Sequence, residues 1–115
     1  MLILHIINAV ISLSTVVAAI LALARPTMFS GSRHVVAGEL FFARMYAARA
    51  IPFGILAGVL PFMGSTDPWP ATIVLVAAAG VQVVDVVIGA GKKEWGMVGG
   101  AAAAVVVHSL TAWLL

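Results

Sequence analysis

The chain has no cysteine and a single tyrosine, and only ten of its 115 residues are charged, six Lys or Arg against four Asp or Glu. The missing cysteine excludes disulfides, thiolate catalysis and cysteine-based metal sites. A charged fraction of 9%, against roughly 25% in soluble domains, excludes an ordinary soluble enzyme. The six cations are dispersed, so no basic footprint for nucleic acid is present. What the chain does have is apolar residues, at 63%. A water-soluble domain this short buries only a modest core and would leave much of that surface wet. A bilayer is the expected solvent.

Four apolar stretches alternate with short polar ones. The first, 2–24, carries His5, Asn8, Ser12, Ser14 and Thr15 but no charge, and ends at Arg25-Pro26. It differs from a secretory signal in lacking a preceding basic residue and in exceeding the usual apolar run of about 7–15 residues. The second, 36–63, is interrupted by Glu39, Arg44 and Arg49 and contains Pro52 and Pro61. Residues 64–70 form a turn with proline on both sides of Trp69. A third stretch covers 71–88, a connection 89–94, and a fourth stretch 95–115. These runs are apolar all round and lack the alternation of barrel strands, so each is read as a helix whose backbone groups pair internally. The pattern predicts an all-α, integral membrane, antiparallel four-helix bundle, one transmembrane domain over residues 1–115.

Arg25, Arg33, Lys92 and Lys93 fall in the first and third connections, and the opposite end has Asp67 with no Lys or Arg. The positive-inside rule then puts those connections in the cytoplasm and both termini outside, in the plasma membrane.

Charges inside the spans are the candidate functional residues. With about 1.5 Å of rise per residue from Val36, Glu39 lies roughly 4 Å deep, Arg44 about 12 Å and Arg49 about 19 Å. Asp85 lies roughly 5–8 Å from the same boundary, and His108, counted from Trp95, about 19 Å. An unpaired charge near the bilayer centre costs at least about 2.5 kcal/mol. The expectation is therefore a buried cluster in which Asp85 pairs with Arg44 or Arg49, Glu39 completes it and His108 shares the layer of Arg49. Glu39, Phe42, Tyr46 and Arg49 follow one stripe of the second helix. Gly96, Gly100, Ala104 and His108 recur every four residues and would turn His108 into the bundle, and Ala50, Gly54 and Gly58 make a second smooth stripe. The structural alternative is that such pairs only fix helix register, that Arg44 snorkels to the headgroups, and that Asn8, Ser12 and Thr15 hydrogen-bond between helices. Histidines 5, 34 and 108 lie at different depths, so no metal site is expected, and no phosphate-binding loop or other cofactor motif is present.

Arg44, the run Arg49-Ala50-Ile51-Pro52-Phe53-Gly54, the segment 81–89 around Asp85, and His108 resemble an uncharacterised family of small four-span integral membrane proteins of bacteria and fungi. The resemblance covers residues 1–115 and is clearest over 43–115. It implies the four-helix membrane form, with the two arginines, Asp85 and His108 as its characteristic polar positions, and it implies no activity.

Three functions compete on the sequence. The first is a metal-free acid–base enzyme, of isomerase or epoxide-opening type, or a binding protein, for a lipophilic small molecule entering from the bilayer. Its catalytic set would be Asp85 or Glu39 as acid or base, Arg49 and Arg44 on a developing oxyanion, and His108 and Tyr46 orienting the substrate or relaying a proton. The second is a structural or assembly subunit of a membrane complex, whose ion pairs specify helix packing and whose glycine stripes specify a partner; a homodimer through the glycine-rich faces is a partner open to any of these readings. The third is a small proton-coupled transporter, although the first span lacks the acidic residue that small multidrug exporters carry there.

Overall fold

The computed structural model describes residues 1–25, 37–64 and 66–115, with the side chains of Ala37 and Glu39 outside that description. Among the described residues four helices span the membrane: α1, Leu2–Ala24; α2, Ala37–Val59, continued by a 3-10 turn at Leu60–Phe62; α3, Trp69–Gly91; and α4, Trp95–Leu114. Each is long and apolar enough to span the hydrocarbon core, and no strand occurs among the described residues. The chain is an all-helical membrane-spanning bundle.

Proline chemistry sets several helix ends. Pro61 has no N–H for the Ala57 carbonyl four residues back, and the α-helix gives way there to the 3-10 turn. Gly64 then takes φ +59, a conformation that glycine adopts without a Cβ penalty. Pro68 and Pro70 open α3, where the missing N–H groups would have had no helical partner. The Asp67 carboxylate accepts the Trp69 N–H at 3.1 Å. At the other end, Lys93 adopts φ +58 between α3 and α4, and the Glu94 N–H closes the turn on the Gly89 carbonyl at 2.9 Å.

The helices form two hairpins, α1–α2 and α3–α4, each packed along much of its length. Glycine allows both close approaches. A Cβ on Gly54 would stand 2.7 Å from Val16 Cγ2 and 2.9 Å from the Ser12 carbonyl oxygen, so α1 and α2 touch backbone to backbone there. Gly58 continues that contact, and Gly89 faces Met97 and Val98 across the α3–α4 turn. The smooth stripe of α2 is thus spent inside the chain. Between hairpins the packing is lighter, through α1 with α4 and α2 with α3. It concentrates at the end holding Met1, Leu115, Gly64 and Pro68, called the terminal end. Ala57, Leu75 and Ala78 form a dry core there, with Phe53, Val74, Ala112 and Leu115 packed against it. Towards the other end, which carries Arg25, Lys92 and Lys93 and is called the basic end, the hairpins part.

Candidate functional site

Polar side chains inside the bundle fall into two separate places. The first is a sealed seam near the terminal end. Asn8 of α1 is fully buried and sends its amide N–H to the Ala57 carbonyl of α2 at 2.7 Å. That acceptor is the one Pro61 leaves without its helical donor. The Asn8 Oδ1 faces His108 Nδ1 of α4 at 2.7 Å. An amide oxygen can only accept, so His108 carries its proton on Nδ1. One asparagine therefore joins three helices. His108 is 2% exposed, as its small-residue spacing predicts, and beside it Thr111 donates to the Val107 carbonyl at 2.7 Å. Ser12 is buried with its hydroxyl unpartnered.

The second place is an open vestibule where the hairpins part, with a volume of about 620 Å³. Ligand pockets commonly measure about 300–1,000 Å³. α1 contributes Ile11, Ser14, Thr15, Ala18 and Ala22, and α2 contributes Tyr46 alone. α3 supplies Gln82 and Asp85, while the wall of α4 is Gly96, Met97, Gly100, Ala101 and Ala104. Glu94 stands at the head of α4. Ser14 and Thr15 turn their hydroxyls back onto the Ile11 carbonyl, at 2.6 and 3.2 Å, so this wall shows mostly methyl and methylene groups. Nothing lies within 4 Å of a Cβ built on Gly96 or Gly100. These glycines hollow the cavity; they do not bring helices together. Both charged residues on the wall are acidic, and no Arg or Lys lines it among the described residues.

The expected Arg/Asp/Glu/His cluster is absent among the described residues. Arg44 and Arg49 are exposed on α2, and neither makes an ion pair with Asp85, which is half-buried in the vestibule. The Glu39 side chain lies outside the described residues. His108 belongs to the terminal-end seam: Asn8 ties it to the level of Ala57, eight residues (49 to 57) beyond Arg49, or about 12 Å of helix. The single depth scale failed because α2 with its 3-10 turn runs from Ala37 to Phe62, whereas α4 runs only from Trp95 to Leu114. Counting both from one boundary therefore puts unlike levels side by side. Of the five candidates whose side chains are described, the structure brings together only Asp85 and Tyr46. An acid–base mechanism with arginines on an oxyanion beside a carboxylate and His108 has no geometry here. No group of three or more His, Asp or Glu side chains is placed to hold a metal ion among the described residues.

Glu94 and the α1 wall were not among the sequence candidates. The available signal was local: Glu94 directly precedes a helix whose Gly96 and Gly100 lie one turn apart. The chain matches no family model, no curated protein and no solved structure.

Proposed function

We propose that the protein binds amphiphilic organic cations in the vestibule between its hairpins. The observation that carries this is the pairing of an apolar wall, formed by α1 and the small residues of α4, with two carboxylates and, among the described residues, no basic group. Asp85 meets the cationic head within the span, where the reduced dielectric makes one charge count for more than in water. Tyr46 and Gln82 supply hydrogen bonds beside it, Glu94 draws cations to the mouth, and the alkyl part lies along Gly96, Gly100 and Ala104. Neither arginine takes part in the site, nor does His108.

The test compares two molecules with the same tail, decyltrimethylammonium and decanoate, by equilibrium dialysis against the full chain in nanodiscs. Saturable binding of the ammonium alone is expected, with at least a tenfold loss in Asp85→Asn and a smaller loss in Glu94→Gln. Equal uptake of decanoate, or an Asp85→Asn protein that binds like the parent, would remove the proposal.

We infer further that residues 1–115 form one transmembrane domain, kin, by the motifs at 49–54 and 81–89, to the four-span family they resemble. The positive-inside rule puts the basic end in the cytoplasm of a plasma membrane, with both termini outside. A second copy is the favoured partner. Arg49 stands exposed midway along α2, where a bare guanidinium costs at least about 2.5–3.5 kcal/mol. Gly80 on α3, and Gly99 and Ala103 on α4, remain exposed for helix packing. Single-step photobleaching of labelled chains throughout dilute liposomes would refute the dimer.

A further inference from the structure

On the outside of the α1–α2 hairpin lies a second, shallower depression of about 390 Å³, separate from the vestibule. Its walls are Leu23 of α1 and Ala47, Ala48, Ile51 and Pro52 of α2, and among the described residues Arg44 is the charged one on its rim. Ala48 and Pro52 share the outer face of α2 one turn apart, and their small side chains leave the floor low.

Depth gives this groove a polarity. The apolar span of α2 begins at Leu40 and not at Val36 as counted from the sequence, so Arg44 lies four residues inside it, about 6 Å and not about 12 Å. From there an arginine can lay its methylenes along the helix and raise its guanidinium to the headgroup level. Pro52, eight residues further (44 to 52), marks a floor that continues about 12 Å towards the bilayer centre. Arg25 ends α1 two residues after Leu23 and is exposed at the same end. A cation at interfacial depth above an apolar trough complements a molecule with an anion at that depth and a hydrocarbon chain hanging from it. A second helix laid in the groove would need a carboxylate set against Arg44, whereas a phospholipid brings the phosphate and the chain in one molecule and is already present in the leaflet.

We propose that this groove is a binding site for one anionic phospholipid, its phosphate held by the Arg44 guanidinium and one acyl chain lying between Leu23 and the Ala47–Pro52 face. Arg49 does not share the role, because it lies a further five residues down α2, about 7.5 Å deeper. The site is independent of the vestibule and stands whether or not cations bind there.

Native mass spectrometry of the full chain, released from micelles doped with phosphatidylglycerol or with phosphatidylcholine, tests it. The parent is expected to retain one phosphatidylglycerol and at least tenfold less phosphatidylcholine. Arg44→Gln removes the charge and Ala48→Phe fills the trough while leaving Arg44 in place, and each is expected to lose that retained lipid. Arg49→Gln and the Lys92→Gln/Lys93→Gln double variant are expected to keep it. Equal retention of both lipids, retention by Arg44→Gln or by Ala48→Phe, or loss in either control variant would overturn the assignment.

Discussion

At Asn8 one side chain replaces a backbone donor that the chain cannot otherwise supply. Pro61 leaves the Ala57 carbonyl without its helical N–H, and the Asn8 amide fills that place while its oxygen accepts from His108. An unsatisfied buried group costs about 1–3 kcal/mol in water-soluble proteins. Measured hydrogen bonds between membrane helices average only about 0.6 kcal/mol, because the separated helices find other partners. The Ala57 carbonyl has fewer alternatives than most, since its own helix cannot supply the usual donor. Asn8→Ala is therefore expected to lower stability by roughly 2 kcal/mol, towards the upper end of the membrane range for two bonds. His108→Leu, which leaves only the Asn8 oxygen unpartnered, should cost about half as much. Reversible unfolding in mixed micelles measures both. Neither variant should change cation binding, since neither side chain lines the vestibule. A His108→Leu protein that is stable but does not bind would return His108 to the functional site.

Glycines of similar appearance in the sequence serve opposite ends at the level of the helices. Gly54 is where α1 and α2 meet, and a methyl group there would sit 2.9 Å from the Ser12 carbonyl oxygen, which backbone rigidity prevents from yielding. Gly54→Ala is expected to cost about 1–3 kcal/mol, as overpacking does elsewhere. Gly100 has open space instead, so Gly100→Ala should be neutral or stabilise by about 0.5–1 kcal/mol through helix propensity. Gly100→Phe should keep the fold and block decyltrimethylammonium. Thermal unfolding of the three variants beside dialysis separates packing from cavity, and a Gly100→Ala protein as unstable as Gly54→Ala would show that the vestibule is closed in solution. Much of this level was legible beforehand. Apolar runs bounded by Pro and Gly define four spanning helices, and the spacing of Ala104 and His108 turns the histidine inward, because the 3.6-residue period needs no knowledge of neighbours. The polar site was not legible, since it depends on how two hairpins lean. Asp85, Arg44 and Arg49 can be assigned a depth from sequence, but only the divergence of the hairpins decides that Asp85 faces a cavity while both arginines face outward.

For the molecule as a whole, the two ends differ in kind. The terminal end is dry, cross-linked by Asn8 and packed around Leu75, and Asp67 is its acidic residue. The basic end is open and carries Arg25, Lys92 and Lys93 on its exposed rim. The long axis measures 49 Å, enough to cross a bilayer of about 40–45 Å with its headgroups. Insertion follows Lys and Arg rather than net charge, since these residues resist translocation while Asp and Glu contribute little. The open end should therefore face the cytoplasm, which would give the vestibule access to cytoplasmic cations and to the inner leaflet. Because the chain has no cysteine, single cysteines can be placed at Ser65, between α2 and α3, and at Lys92, between α3 and α4, and probed in intact cells with a membrane-impermeant maleimide. Labelling at 65 and protection at 92 is the expected result. The reverse pattern would invert the protein and direct the acidic mouth outward, and labelling at both positions would mean that the chain inserts in both directions.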